Sequence, residues 1–227
     1  AMLDIWELCT AYYSPRNKIK KTDLFNMIDS LGFKMGLVAD KPRPEYSAYY
    51  KEIYEKEKRP VKAKAPIEKQ FDHSIKKQTE IVIVGSAGQK IKSSTTIFAQ
   101  SAMYCGLEAV QKDDYPITVM SGHSVAELIL SPERIEYTAI ENPDYYIILS
   151  EEGANRVKDK IIKLPETCTV IVDDSVALPE TKANIVRLPI NETAKAVDKR
   201  SIAAIALSAL LKRSGIFPLE AFETALY

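Results

Sequence analysis

The chain lacks net charge. Its 227 residues carry 31 Lys/Arg and 31 Asp/Glu, which removes the general electrostatic attraction that would point to nucleic acid or an anionic membrane. It also lacks long hydrophobic runs. The longest, residues 202–211, is interrupted by Ser208 and falls well short of the roughly 20 residues that span a bilayer. No basic segment followed by an apolar core stands near the start, so no secretory leader is expected, and a cytoplasmic location is the default. Ala1 precedes Met2, which reads as one residue added ahead of a native start. Cysteine is scarce: Cys9, Cys105 and Cys168 are odd in number and far apart. That fits neither a disulfide framework nor a Cys-x-x-Cys metal or cluster site, so any redox cofactor is expected on another chain.

What is present is uneven. Before Glu80 there are 16 Lys/Arg against 11 Asp/Glu, and from Glu80 onward 15 against 20, so two segments of about +5 and −5 are joined. Hydrophobic content of 46% with 27% charged residues excludes a fully disordered chain. From Glu80 the pattern is short apolar runs alternating with helical segments. Ile81-Val82-Ile83-Val84 is β-branched throughout and reads as a strand buried on both faces. Further strands are expected near 107–110, 125–130, 145–149, 169–172 and 185–188. Helices are expected over 93–103, with Ser93 or Ser94 as N-cap, and over 151–162 and 193–212. The last of these carries Ile202, Ile205, Ala206, Ala209 and Leu210 at the spacing of a buried stripe. The alternation predicts an α/β fold: a three-layer, mainly parallel sheet flanked by helices, with a mostly helical amino-terminal extension.

In that extension Thr22 is placed to cap a helix over 23–31, and Gly32 stands where a left-handed C-terminal cap is wanted. A second helix over 45–56 would align Tyr46, Tyr49, Tyr50, Ile53 and Tyr54 in one stripe, which suits packing against protein better than stacking on bases. Residues 51–77 hold nine Lys/Arg, five Asp/Glu and two prolines and read as a linker unable to fold alone. The expected division is 1–58 extension, 59–78 linker and 79–227 α/β domain.

Gly85-Ser86-Ala87-Gly88-Gln89-Lys90 joins the first strand to the first helix, at the sheet edge where open α/β folds bind ligands. It is not a Walker loop, because two residues rather than four separate the glycines, and Gln89 intervenes before Lys90. Nor is it a dinucleotide fingerprint, because Ala87 occupies the second glycine position. Two readings remain: Gly85, Ser86, Gly88, Gln89 and Lys90 form an anion or subunit-contact loop, or simply a tight turn. Ser121-Gly122-His123 lies between two strands and is a second candidate contact loop. No Gly-x-Ser-x-Gly elbow surrounds it, and neighbours in sequence do not make a nucleophile–base pair. His73, in the charged linker, reads as solvated. Asp173-Asp174 ends a strand and either binds a cation or a ribose, or caps the next turn. No catalytic residue and no metal site is assigned to this chain.

Together these residues resemble a family. A strand, Gly-x-x-Gly-Gln, a helix, a Ser-Gly loop feeding Val125-Ala126-Glu127-Leu128, then Asn142-Pro143-Asp144-Tyr145 and a strand ending at Asp173 resemble the gamma subunit of 2-oxoacid:ferredoxin oxidoreductases. Ser214-Gly215-Ile216-Phe217-Pro218-Leu219-Glu220-Ala221 looks like the end of that subunit, so the likeness spans about residues 79–227. Asp4-Ile5-Trp6-Glu7-Leu8-Cys9-Thr10-Ala11-Tyr12-Tyr13, with Pro15-Arg16-Asn17-Lys18 and Pro44-Glu45-Tyr46-Ser47, is similar to the carboxyl-terminal tail of the thiamine-diphosphate-binding beta subunit. The chain thus reads as the tail of beta joined to gamma. The resemblance implies an accessory subunit of a complex that oxidatively decarboxylates 2-oxoacids. Thiamine diphosphate, iron–sulfur clusters and coenzyme A would then belong to the assembly and none of them to this chain, and its partners would be alpha- and beta-type subunits and ferredoxin or a ferredoxin-like subunit. Two departures stand out. The family loop is Gly-x-Gly-Gly-Gln-Gly, where this chain has Ala87 and Lys90, expected to forbid the most open backbone shapes. The family's Arg-Gly-Gly is here Ser121-Gly122-His123, without an arginine for bidentate anion contact. A free-standing nucleotide- or anion-binding module and a degenerate scaffolding subunit stay open as alternatives.

Overall fold

The structure is a computed structural model that describes residues 5, 7–8, 13–37, 41–42, 44–57, 66–116 and 121–226, without the side chain of Pro15. Trp6, Cys9, linker residues 58–65 and Met120 lie outside the described residues. The chain divides into two compact units, residues 1–65 and 66–227.

The second unit is built on the β-branched run seen in the sequence. Strand β1 (Thr79–Ser86) alternates its side chains between two cores: Ile81 and Ile83 enter one, Val82 and Val84 the other. Around it stand β2 (Glu108–Asp114), β3 (His123–Ser131), β4 (Tyr145–Ile148), β5 (Thr169–Asp173) and β6 (Asn184–Leu188), in the order β2-β3-β1-β4-β5-β6. β1, β4, β5 and β6 pair in parallel, and β3 alone runs against its neighbours. The fold is thus a six-stranded, mostly parallel sheet between helical layers, as expected. The direct β2–β3 connection accounts for the single reversal, since only antiparallel strands can be joined without a crossover.

The helices of this unit depart from expectation in their details. Helix α4 (Ile91–Tyr104) starts two residues early, and its N-cap is Lys90, not Ser93 or Ser94. The Ser93 hydroxyl, already inside the first turn, donates to the Lys90 carbonyl at 3.1 Å. The helix expected over 151–162 is broken into α5 (Glu151–Arg156) and α6 (Lys158–Ile162) at Val157, which leaves helical φ at −115° and is itself buried. The helix expected over 193–212 is likewise divided into α7 (Ile190–Val197), one 3₁₀ turn at Lys199–Ser201 and α8 (Ile202–Ser214). Asp198 causes this break: it is extended, and its carboxylate accepts the Arg200 N–H at 3.0 Å to cap the new turn. The buried stripe of α8 is therefore Ala203, Ala206, Leu207, Leu210 and Leu211, with Ile202 and Ile205 only partly covered. α9 (Leu219–Leu226) closes the chain, and its Phe222 meets Phe98 of α4 edge-on at 5.5 Å. α4, α8 and α9 cover one face of the sheet, α5 and α6 the other.

Residues 66–78 belong with this unit and are not free linker. Ile75 is buried in the core, Phe71 packs against it, and the backbone N–H groups of Gln70, Phe71 and Ser74 donate to Tyr104 and Ile216 carbonyls. His73 is correspondingly half-buried, with Nδ1 enclosed and lacking a hydrogen-bond partner, rather than solvated.

The amino-terminal unit contains α1 (Tyr13–Asn17), α2 (Lys21–Ser30) and α3 (Tyr46–Lys56). α2 is capped at Lys20, not Thr22: Asp23 reaches back to accept the Lys20 N–H at 2.7 Å. Gly32, at φ +68°, ends it as expected, with Phe33 N–H returning to the Ile28 carbonyl. Glu45 caps α3 by accepting from the N–H groups of Ser47 and Ala48. Tyr46, Tyr49, Tyr50 and Tyr54 of the expected stripe are exposed.

Candidate functional site

The parallel strands deliver Ser86, Leu149 and Asp173 to one edge of the sheet, and antiparallel β3 begins at that same edge with His123 paired to Ser86. The Gly85–Lys90 turn is closed by one side chain. Gln89 Oε1 accepts the Ser86 N–H at 2.8 Å, Gln89 N–H donates to the Ser86 carbonyl at 3.3 Å, and Gln89 Nε2 donates to the Leu149 carbonyl at 3.4 Å. A glutamine is suited to this because its amide both accepts and donates, here stitching the ends of β1 and β4. Glycine is needed at 85 because a Cβ there would stand 2.1 Å from Gln89 Oε1.

Lys90 adopts φ +55°, ψ +28°, the left-handed conformation that glycine favours. The expectation that lysine would forbid this shape is corrected. Ala87 is not among the positive-φ residues; its N–H donates to the Gly122 carbonyl at 2.8 Å. That bond joins the two loops singled out in the sequence.

The third contributor is α5. Ser150 caps it, accepting the Gly153 N–H at 3.1 Å, and the Ser86 hydroxyl donates to Ser150 Oγ at 2.9 Å. Gly153 lies against β1 so closely that a Cβ would be 2.6 Å from the Gly85 nitrogen and 2.7 Å from its Cα. At the far end of α5, Arg156 Nε donates to His123 Nε2 at 3.1 Å and Nη2 donates to Asp114 Oδ2 at 3.0 Å. The Arg156 hydrogen bond holds the Asp114 carboxyl below its ordinary range. Beside this cluster Lys92 donates to the Tyr115 hydroxyl, with Nζ 5.2 Å from the ring centroid, and the Tyr115 contact with Asp113 behind it raises the ammonium.

Gly85, Ser86, Gly88, Gln89, Lys90, Gly122 and His123 thus share one edge. Ser121 is exposed, and its hydroxyl has no described hydrogen bond to His123, whose Nε2 is engaged by Arg156. Asp173 is a structural cap. Burial alone would raise its carboxyl, but hydrogen bonds from Ser175 and from the Asn191 N–H at 2.6 Å outweigh that and hold it low. The residues the sequence did not disclose are Ser150, Gly153, Arg156 and Asp114. Ser150 carried a signal, since it precedes a helix and so stands as a cap. Arg156 carried none, because its partners lie 33 and 42 residues away.

The described cysteines do not suit an iron–sulfur cluster. Cys105 and Cys168 are each fully buried in separate cores, and burial pushes their thiols up to about 11 and about 12, whereas cluster ligation requires thiolates. Among the described residues no three His, Cys, Asp or Glu side chains are grouped to hold a metal, and no helix is long and apolar enough to cross a membrane.

Comparison with known proteins places this edge in context. The chain is 29% identical over 159 residues to 2-oxoglutarate synthase subunit KorC of Methanocaldococcus jannaschii, covering 67% of this chain and 83% of that protein. The keto/oxoacid ferredoxin oxidoreductase gamma subunit from Geobacter sulfurreducens superposes with a TM-score of 0.55 at 28% identity, over 66% of this chain and 83% of the other. The 2-oxoglutarate:ferredoxin oxidoreductase from Magnetococcus marinus shares the fold, with a TM-score of 0.59 at 23% identity, over 67% of this chain and 27% of that longer one. Residues 80–227 match the family described as pyruvate ferredoxin/flavodoxin oxidoreductase. The match runs from the second residue of β1 to the end of the chain, and on that ground the chain belongs to this family.

Proposed function

We propose that the chain is the gamma-type accessory subunit of a cytoplasmic 2-oxoacid:ferredoxin oxidoreductase, an assembly that oxidatively decarboxylates 2-oxoacids. The observation that carries this reading is the family match over residues 80–227, from β1 to the end of the α/β unit. Decarboxylation would proceed on thiamine diphosphate and electrons would pass through iron–sulfur clusters to ferredoxin, the cofactor and the clusters being held by alpha- and beta-type partner chains. Residues 3–55, which resemble a beta-subunit tail, would tie the chain to such a partner. The Gly85–Lys90 turn and the Ser121–His123 loop supply a rigid contact face: Gln89 fixes the turn, Gly122 locks it to the hairpin, and Ser150 anchors it to α5.

A free-standing anion-binding module is less well supported. The N–H groups of Ser86, Ala87 and Gln89 already donate inside the protein, and they are the groups a phosphate loop would present. Affinity purification of the chain from native extract tests the assignment. Alpha- and beta-type oxidoreductase chains should be recovered with it, together with 2-oxoacid-dependent ferredoxin reduction. A chain that elutes alone, without that activity in any fraction containing it, would sink the assignment.

A further inference from the structure

His123 is held in a way that depends on its protonation state. Its Nε2 accepts a hydrogen bond from Arg156 Nε at 3.1 Å and also lies 3.5 Å from Asp114 Oδ2, which itself accepts from Arg156 Nη2 at 3.0 Å. An imidazole nitrogen accepts only when it carries no proton, so this arrangement requires the neutral ring with its hydrogen on Nδ1. When Nε2 takes up a proton it can no longer accept from the guanidinium; it becomes a donor with Asp114 as its nearest acceptor and a like charge beside Arg156.

We infer that Asp114, His123 and Arg156 form a pH-sensitive latch that exchanges partners at the loop end of the β2–β3 hairpin. With neutral His123, Arg156 bridges the histidine and the aspartate and so ties both strands of the hairpin to α5. With charged His123, the histidine takes Asp114, the tie across the loop end remains, and the tie to α5 weakens. The other charged groups around the cluster are already paired: Asp113 with Lys92, itself bonded to Tyr115, and Glu127 with Lys112 and Lys160. Asp114 is therefore the carboxylate for which His123 and Arg156 compete. The exchange is coupled to the contact face, because His123 pairs with Ser86 in the sheet and Gly122 accepts from Ala87. The latch stands on this chain's own geometry and holds whether or not the assembly proposed above is correct.

Nitrogen-15 NMR of the full chain between about pH 5 and 8, where imidazoles change charge, tests it. Neutral His123 should show the Nδ1–H tautomer. The protection factor of Arg156 Nε–H, corrected for intrinsic pH dependence, should fall roughly threefold to tenfold as His123 gains its proton, the loss expected for one partly exposed, charge-assisted hydrogen bond. In His123→Gln, which offers an acceptor that does not titrate, that protection should stay flat. In Arg156→Lys, α5 should show no change over the same pH range. An Nε2–H tautomer in the neutral ring, equal Arg156 protection at both ends of the titration, or the same pH dependence in His123→Gln would each overturn the latch.

Discussion

Replacing Gly153 by alanine puts two rules in direct opposition. Helix propensity favours alanine over glycine by about 1 kcal/mol in a helix interior, and Gly153 lies in α5, so local reasoning predicts stabilisation. The packing predicts the reverse. A Cβ at 153 would stand 2.6, 2.7 and 2.9 Å from the Gly85 nitrogen, the Gly85 Cα and the Val84 carbonyl carbon. All three are backbone atoms of β1, which is held on one side by β3 and on the other by β4, so the strand cannot retreat. The helix must move out by about 1 Å, and a gap of that size forfeits a quarter to a half of the dispersion energy at the contact. Ala154 of α5 and Val157 at its carboxyl end, both buried against the sheet, would lose it.

Overpacking of this kind costs about 1–3 kcal/mol, with the upper part of the range applying where the obstacle is rigid. Less the propensity gain, Gly153→Ala should be destabilised by about 2 kcal/mol. For a unit of this size each kcal/mol shifts Tm by about 2–4 °C, so the melting temperature should fall by roughly 4–8 °C. Urea titration should show a lower midpoint with an unchanged slope, since the surface exposed on unfolding is the same. A variant as stable as the parent, or more stable, would refute the argument and mean that α5 does not press on β1.

Two further substitutions probe the same edge. Lys90→Gly removes a left-handed, non-glycine residue whose conformation costs about 1–2 kcal/mol and should melt a few degrees higher than Lys90→Ala, which keeps the strain; equal melting temperatures would show that Lys90 is unstrained at φ +55°. Asp173→Asn should cost about 1–2 kcal/mol at neutral pH by weakening hydrogen bonds to a buried carboxylate. Because the folded carboxyl is held low, the wild-type advantage is present above the unfolded value of about 3.9 and is lost as pH falls through the folded value. The stability curves of parent and variant should therefore converge in acid, and a constant gap down to pH 2 would refute this.

Strands were the legible part of the sequence. Five of the six are rich in β-branched or apolar residues, and the burial of β1 on both faces was already visible in Ile81–Val84; β2 is the exception, since past Ala109 and Val110 it reads Gln-Lys-Asp-Asp and is held by its pairing with β3. Helix ends were less legible, because Asp198 and Val157 interrupt patterns that continue on either side of them. Of the site, the Gly85–Lys90 turn was visible because two glycines and a glutamine follow a strand. What could not be read was everything α5 contributes: the Gly153 contact depends on how closely a helix approaches a strand 68 positions earlier in the chain, and no local pattern records that distance.

The two departures from the family's glycine loop are physically unequal. At 87 the backbone is not left-handed, so alanine there carries no conformational penalty, and its N–H still reaches Gly122. At 90 the backbone is left-handed and lysine bears the cost. The shape survives because it does not depend on glycine at 90: the Gln89 side chain imposes it by binding Ser86 on one strand and Leu149 on the next. Glycine at 85 matters more to the turn, since a Cβ there would displace the Gln89 amide that closes it. Substitutions at 87 and 90 that leave Gly85 and Gln89 in place should therefore spare the proposed contact face, and they are weak grounds for calling the subunit degenerate.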